Sequence, residues 1–231
     1  NGIHEGLVQS WKDIFPKKGE IHFAGALENN EDTGTLQYLA STAMEAGFST
    51  RVLDMQALDL QNGRFFDPAG ELVNRCFKLY PWEWMVDESP DGCLAEMEWL
   101  EPIWKLVMSN KAILATLYEL FPDSPYVLPC YLSRPRSGLF CKKPVFSREG
   151  HNVSVVDIRD WEEYVRIAET EGDYNTGAYV YQEYAEPTAY SGRYPVIGSW
   201  IIGGEAAGIG IRENRMEVTD NLSEFVPHII G

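Results

Sequence analysis

Residues 20–55 constrain the fold more than any other stretch. E-I-H-F-A-G-A-L (20–27) is an apolar run of strand length, and E-D-T-G-T-L-Q-Y-L-A-S-T-A-M-E-A-G-F (31–48) sets Leu36, Leu39, Ala40, Ala43 and Met44 on one helical face before Gly47 ends it. S-T-R-V-L-D-M (49–55) is a second strand. Strand, helix, strand in that order predicts two parallel strands with the helix on one face, an α/β layer.

Further along, G-R-F-F-D-P-A-G-E-L-V (63–73) reads as a hairpin and R-C-F-K-L-Y (75–80) as another apolar strand. Trp82, Trp84 and Trp99 lie close in sequence, a density that predicts core or domain-junction packing rather than ligand stacking. Residues 104–121 read as one long helix ending at Pro122, then Y-V-L-P-C-Y and L-F-C-K-K-P-V-F as strands, S-R-E-G (147–150) as a turn and V-S-V-V-D-I (153–158) as a strand. D-W-E-E-Y-V-R-I-A-E-T (160–170) predicts an acidic helix capped by Asp160, and A-Y-V-Y-Q-E-Y a further strand. P-V-I-G-S-W-I-I, Gly203-Gly204 and E-A-A-G-I-G-I-R-E predict a tight antiparallel hairpin. The expected architecture is mixed α+β with a nucleotide-sized cleft between layers.

At 231 residues and 45% hydrophobic, the chain can bury the core of one large domain or two small ones. No apolar run is long enough for a membrane helix and no signal layout opens the chain. Cys76, Cys93, Cys130 and Cys141 show no C-x-x-C pair, so buried reduced thiols and a cytoplasmic protein are expected. His4, His22, His151 and His228 are scattered, which predicts no zinc. The start at Asn1 rather than Met points to a processed chain or a piece of a longer one.

A formal net charge of -16 excludes general nucleic-acid or anionic-membrane binding. Yet Lys105 to Arg148 holds seven basic and two acidic residues, a +5 island that leaves -21 for the rest. Such an island suits a small polyanion. Within it, Lys143 precedes a proline and the Arg148-Glu149-Gly150 loop: a strand cation and a glycine where backbone N–H groups can approach phosphate. A solvated hairpin turn accounts for the same residues, and Lys111 near a helix start reads equally as a solvated lysine. No G-x-x-x-x-G-K-[ST], G-x-G-x-x-G or G-x-S-x-G is present.

N-K-A-I-L, K-P-V-F-S-R-E-G-H-N-V, Y-Q-E-Y, Y-P-V-I-G-S-W-I-I-G-G-E-A-A-G-I-G-I-R-E and S-E-F-V-P-H together resemble the glutathionylspermidine synthetase family and its acid–amine ligase relatives, over nearly the whole chain. The resemblance implies an ATP-grasp fold preceded by a small α/β, pre-ATP-grasp-like layer, with the N-terminal part of the full fold missing. On it, residues 1–100 would be the substrate-side region, 101–190 the lid with phosphate loop and adenine hinge, and 191–231 the C-terminal hairpin core. It implies C–N ligation: ATP phosphorylates a carboxylate and an amine displaces phosphate from the acyl-phosphate.

Carried over residue by residue, the resemblance puts Lys111, Lys143, Glu149 and Gly150 on the ATP phosphates. Gln182, Glu183, Tyr184 and Ala185 fall on adenine and ribose, and Glu217, Val218 and Thr219 on the nucleotide pocket. Arg212 takes the catalytic, charge-stabilising role, and Glu31, Asp32 and Glu224 lie on the substrate side, where a helix cap or solvated face is the plainer account. Expected partners are a small-molecule carboxylate and an amine, with a peptide and a polyamine among the candidates. The family's Mg²⁺ site, an R-x-D followed by E-x-N, has no counterpart here; Glu28 and Asn30 have the spacing but align with a later segment, so the metal ligands are expected outside this chain. Leu79 stands where the family has threonine, which leaves the acid and amine open. A fragment of this kind is expected to be inactive alone. The rival reading is a catalytically inactive nucleotide-binding or structural module on the same fold, and an amidase or protease lacks a cysteine–histidine context.

Overall fold

α1 (Ile3–Ile14) leads into β1 (Glu20–Gly25), and α2 (Asn30–Glu45) returns the chain to β2 (Ser49–Asp54). β1 and β2 are parallel, with Glu20 opposite Ser49 and Gly25 opposite Asp54. The computed structural model describes residues 1–160, 164–174, 177–218 and 223–229. Two units are distinguished within it: Asn1–Leu106 with Ser199–Gly208, and Val107–Gly198 with Ile209–Gly231.

In the first unit the small strands β3 (Asp59–Gln61), β4 (Arg64–Phe66) and β5 (Leu72–Val73) form an antiparallel meander, which contains the expected hairpin. β6 (Arg75–Leu79) then pairs parallel with β1, α3 (Trp82–Glu88) follows, and β7 (Glu98–Leu100) pairs parallel with β6. The order β2-β1-β6-β7 places β1 inside the sheet. Both of its faces are therefore covered, as a central parallel strand requires: Ile21 and Phe23 pack with Trp11, Leu36 and Ala43, whereas Ala24 packs with Cys76, Val73 and Trp82.

Local chemistry sets the ends of α2. The Asn29 side chain accepts the Glu31 and Asp32 N–H groups at 2.9 and 3.4 Å. At the other end Gly47, φ +95°, donates to Met44 O and Phe48 to Ala43 O, a Schellman stop that needs a left-handed residue. Leu36, Ala40 and Ala43 are buried as expected; Met44 is 56% exposed, because the buried stripe turns toward Thr42, which accepts the Trp11 indole N–H at 2.9 Å. Trp82 is buried and meets Trp99 edge-on at 5.5 Å, while Trp84 stands half-exposed against Tyr80.

The expected single helix over 104–121 is broken. α4 (Leu106–Ser109) ends, Asn110 and Lys111 intervene, and α5 (Ala112–Leu120) begins. The Asn110 side chain accepts the Ala112 N–H at 2.9 Å, and Lys111 N–H donates to Val145 O at 2.8 Å, leaving the helix path for a strand partner.

In the second unit β8 (Cys130–Tyr131), β9 (Gly138–Pro144), β10 (Ser154–Ile158), β11 (Tyr164–Glu169) and β12 (Tyr179–Glu183) form a five-stranded antiparallel sheet ordered β11-β10-β9-β12-β8. β11 corrects the expected acidic helix over 160–170. Residues 164–169 pair with β10, Tyr164 opposite Ile158 and Glu169 opposite Ser154; the β-branched Val165 and Ile167 suit a strand, and residues 161–163 lie outside the described ones. β12 lies inside this sheet, between β9 and β8.

β13 (Tyr194–Ile202) and β14 (Glu205–Asn214) form the expected hairpin, with β15 (Glu224–Val226) antiparallel to β14. Gly203 and Gly204, φ +61° and +89°, make a two-residue turn whose hand matches strand twist. Within the first unit, Gly2 N–H donates to Ala207 O at 2.7 Å.

Candidate functional site

Among the described residues, one cleft rich in charged side chains lies in each unit. The larger, about 720 Å³, lies in the first unit and is lined by Lys18, Glu20, His22, Arg75, Glu96 and Glu98 among others. Its carboxylates each have an arginine partner: Glu98 has Arg75 at 2.7 Å, Glu96 has Arg64 at 3.0 Å, and Glu20 has Arg51 at 2.9 Å. His22 is buried with both ring nitrogens unpartnered, 3.7 Å from Glu20 and 3.8 Å from Asp67. Burial pushes its pKa down, outweighing the two carboxylates.

The second cleft, about 330 Å³, gathers the basic island. It is lined by Lys111, Cys141, Lys143, Ser147, Arg148, Glu149, Gly150, Val153, Glu217 and Val218, three cations against two carboxylates. Strand alternation explains the aim of β9: Cys141 and Lys143 share the face on the cleft, and Lys142 takes the other, its ammonium 3.9 Å from the centre of the Tyr179 ring. Lys143 Nζ donates to Gln182 Oε1 at 2.7 Å, a neutral acceptor two residues along β12 from its cross-strand partner Val180.

Lys111 reaches the same cleft from the N-cap position of α5. Its ammonium donates to Ser147 Oγ at 2.9 Å and to the Ser147 carbonyl, so the lysine and the start of the loop are tied together. The loop itself turns through left-handed residues, Glu149 at φ +57°, Gly150 at +74° and Asn152 at +54°. The Gly150 N–H donates to no atom of the described residues.

On the other side, Tyr184 OH donates to Glu217 Oε2 at 2.5 Å. Burial first, then this bond to a carboxylate, pushes the Tyr184 pKa upward and keeps the phenol protonated. Burial likewise pushes the Cys141 thiol up; Lys143 pulls it down and Glu217 up, so the group stays a neutral thiol near neutral pH. Glu183 N–H is bonded to Pro129 O at 2.8 Å and Tyr184 N–H to Leu139 O at 3.0 Å, which fixes the segment leading to Ala185.

Of the residues singled out in the sequence, Lys111, Lys143, Glu149, Gly150, Glu217 and Val218 line one cleft, and Gln182 and Tyr184 hold two of them in place. Thr219 lies outside the described residues. Arg212 sits inside β14, opposite Phe225 with its guanidinium 5.7 Å from that ring, and does not line the cleft. Glu224 on β15 pairs with Arg193 at 3.1 Å, and Glu31 and Asp32 form the first turn of α2 in the first unit. Sequence reasoning missed Cys141 and Ser147. The i, i+2 period from Lys143 was the signal for Cys141; Ser147 gave none, because its link to Lys111 spans 36 residues.

The geometry can hold an anion: two ammonium groups, a guanidinium and an unengaged glycine N–H converge on a space within the usual size of small-ligand pockets. A metal fits less well. Among the described residues, no group of three or more His, Cys, Asp or Glu is placed to hold an ion. No described helix is long and apolar enough to cross a membrane.

A family model described as glutathionylspermidine synthase preATP-grasp matches residues 1–231. The chain is 34% identical over 240 residues to a protein assigned as an acid–amine ligase in Haemophilus influenzae, covering 99% of this chain and 61% of that one. It is 28% identical over 236 residues to the trypanothione synthetase of Crithidia fasciculata, covering 90% and 35%, and 26% identical over 266 residues to the bifunctional glutathionylspermidine synthetase/amidase of Escherichia coli, covering 100% and 42%. The chain therefore spans between 35% and 61% of these relatives' length. A solved structure of a protein assigned as a gamma-glutamylcysteine synthetase, from Methylobacillus flagellatus, superposes with a TM-score of 0.58 at 10% identity, over 97% of this chain and 72% of that one, a likeness of fold alone.

Proposed function

The chain belongs to the glutathionylspermidine synthase preATP-grasp family, and on that premise we propose that it is part of an ATP-dependent ligase joining a carboxylate to an amine. The observation that carries the reading is the convergence of Lys111, Lys143 and the Gly150 loop on one cleft. In this reading the fold is an ATP-grasp with a pre-ATP-grasp layer, and nucleotide phosphates lie against the two ammonium groups. When bound, ATP supplies the phosphoryl group that activates the carboxylate for attack by the amine.

Each protein group has a defined task. Gln182 orients Lys143 and Ser147 orients Lys111, so both charges stand in place before phosphate arrives; this positioning is the main help phosphoryl transfer needs. Glu217, held by Tyr184, lines the cleft, and its carboxylate is an acceptor for a ribose hydroxyl. In the same reading Gln182 to Ala185 take adenine and ribose, and Glu217 and Val218 line the nucleotide pocket; Thr219, outside the described residues, is assigned there by resemblance alone. The roles of Arg212 at developing charge and of Glu31, Asp32 and Glu224 at substrate rest on resemblance alone, and Arg212 does not line the cleft. The described residues do not fit a Mg²⁺ site, so no step is assigned to metal here. The substrates are small molecules, a carboxylate and a primary amine.

The test has two parts. Calorimetry with ADP and with a non-hydrolysable ATP analogue should give saturable binding to the chain, and dilution heats alone at millimolar ligand would remove the nucleotide reading. In a protein that contains this chain and turns over, ADP release should require acid and amine together. Binding without such release under any acid–amine pair would favour an inactive nucleotide-binding module.

A further inference from the structure

We propose that Thr170 is a positioning residue for the phosphate-facing loop 147–153; the inference rests on the nucleotide reading of the cleft. Thr170 follows β11 and meets the far end of the loop. Its Oγ1 accepts the Val153 N–H at 2.9 Å and lies against the carbonyl oxygens of Gly150 and Val153, the latter at 3.2 Å. A hydroxyl has one hydrogen to give. Val153 O already accepts the Thr170 N–H at 2.9 Å, so that hydrogen goes to Gly150 O.

One side chain thereby joins both ends of the left-handed turn, Gly150 and Val153. Its neighbours complete the brace. Asn152 Oδ1 accepts the Tyr174 N–H at 2.7 Å, and His151 N–H donates to Arg148 O at 2.9 Å. Gly172 is packed so closely that a Cβ there would meet His151 Cβ at 2.5 Å. With Ser147 tied to Lys111 at the near end, the loop is held at both ends while the Gly150 N–H is left for a ligand.

A loop ordered in advance spares the ligand the entropy of ordering it. Thr170→Val keeps the shape and deletes the hydroxyl, stranding a buried Val153 N–H and the Gly150 carbonyl; Thr170→Ser keeps both bonds. The experiment measures ADP and adenosine binding by calorimetry for the wild type, Thr170→Val, Thr170→Ser and Lys143→Met, with hydrogen exchange at the Val153 amide. The expected result is ADP binding weakened about tenfold or more in Thr170→Val, with adenosine unchanged, Val153 exchange accelerated, and Thr170→Ser near wild type. The inference is overturned if Thr170→Val binds ADP like the wild type while Lys143→Met has lost it, if ADP and adenosine weaken equally, or if Val153 exchange does not change. A wild type that binds no ADP fails differently: it removes the nucleotide reading, and this inference with it.

Discussion

Replacing Lys143 by methionine should weaken ADP binding about ten- to 150-fold. The side chain keeps its length and loses its charge. Lys143 Nζ is held 2.7 Å from Gln182 Oε1, a neutral acceptor, so its charge is available to the cleft. A phosphate charge centred about 4 Å away would gain roughly 4 kcal/mol per unit charge at an effective dielectric near 20. The group is only half-buried, so solvent and salt screen that figure, and a charge-assisted hydrogen bond is worth about 1.5–3 kcal/mol net. At about 1.4 kcal/mol per decade, the range follows. Gln182 is itself partly exposed and can turn to water, so the fold should lose under about 1 kcal/mol. Calorimetry with ADP and adenosine separates the effects: ADP should weaken and adenosine should not, with circular dichroism unchanged. An ADP affinity within about twofold of wild type, in a folded variant, would refute the reasoning.

Three further outcomes are expected. His22 is buried neutral with its pKa lowered by desolvation, so the unfolded chain binds the proton more tightly; stability should fall as pH drops below about 6.5, by at most about 1.4 kcal/mol per pH unit, and His22→Gln should remove that component from urea midpoints taken between pH 5 and 8. Gly25→Ala would bring a Cβ within 2.9 Å of Leu36 Cδ1 and 3.1 Å of the Leu79 carbonyl oxygen; the backbone oxygen cannot step aside, so about 1–3 kcal/mol of stability should be lost, and an unshifted urea midpoint would contradict the packing. Burial pushes the Cys76 thiol to about 12, so iodoacetamide at pH 8 should leave it unmodified in the folded protein and label it after denaturation, as mass spectrometry of peptides would show.

The parts of the fold legible in the sequence were those decided locally. The β-α-β unit follows from an apolar run, one helical stripe and a glycine stop, and the 203–204 turn from two glycines whose backbone freedom the hairpin uses. The errors arose where tertiary partners override local preference. Residues 164–169 look helical by charge, yet β10 offers them a strand partner; residues 104–121 look like one helix, yet Val145 O captures the Lys111 N–H. The site divides the same way. Lys143 and Gly150 were visible as a cation and a glycine seven residues apart, whereas Ser147 beside Lys111 and Thr170 across the loop are long-range contacts. Arg212 and Glu224 came from resemblance alone, and their strand partners, Phe225 and Glu213, could not be read from spacing.

The most direct test of the central claim is a crystal structure of the chain grown with saturating ADP. Phosphate oxygens should lie within about 2.7–3.2 Å of the Lys111 and Lys143 ammonium nitrogens, with the Gly150 N–H facing them. A nucleotide bound in the 720 Å³ cleft of the first unit, or an empty Lys111–Lys143 cleft at full ADP occupancy elsewhere, would contradict it.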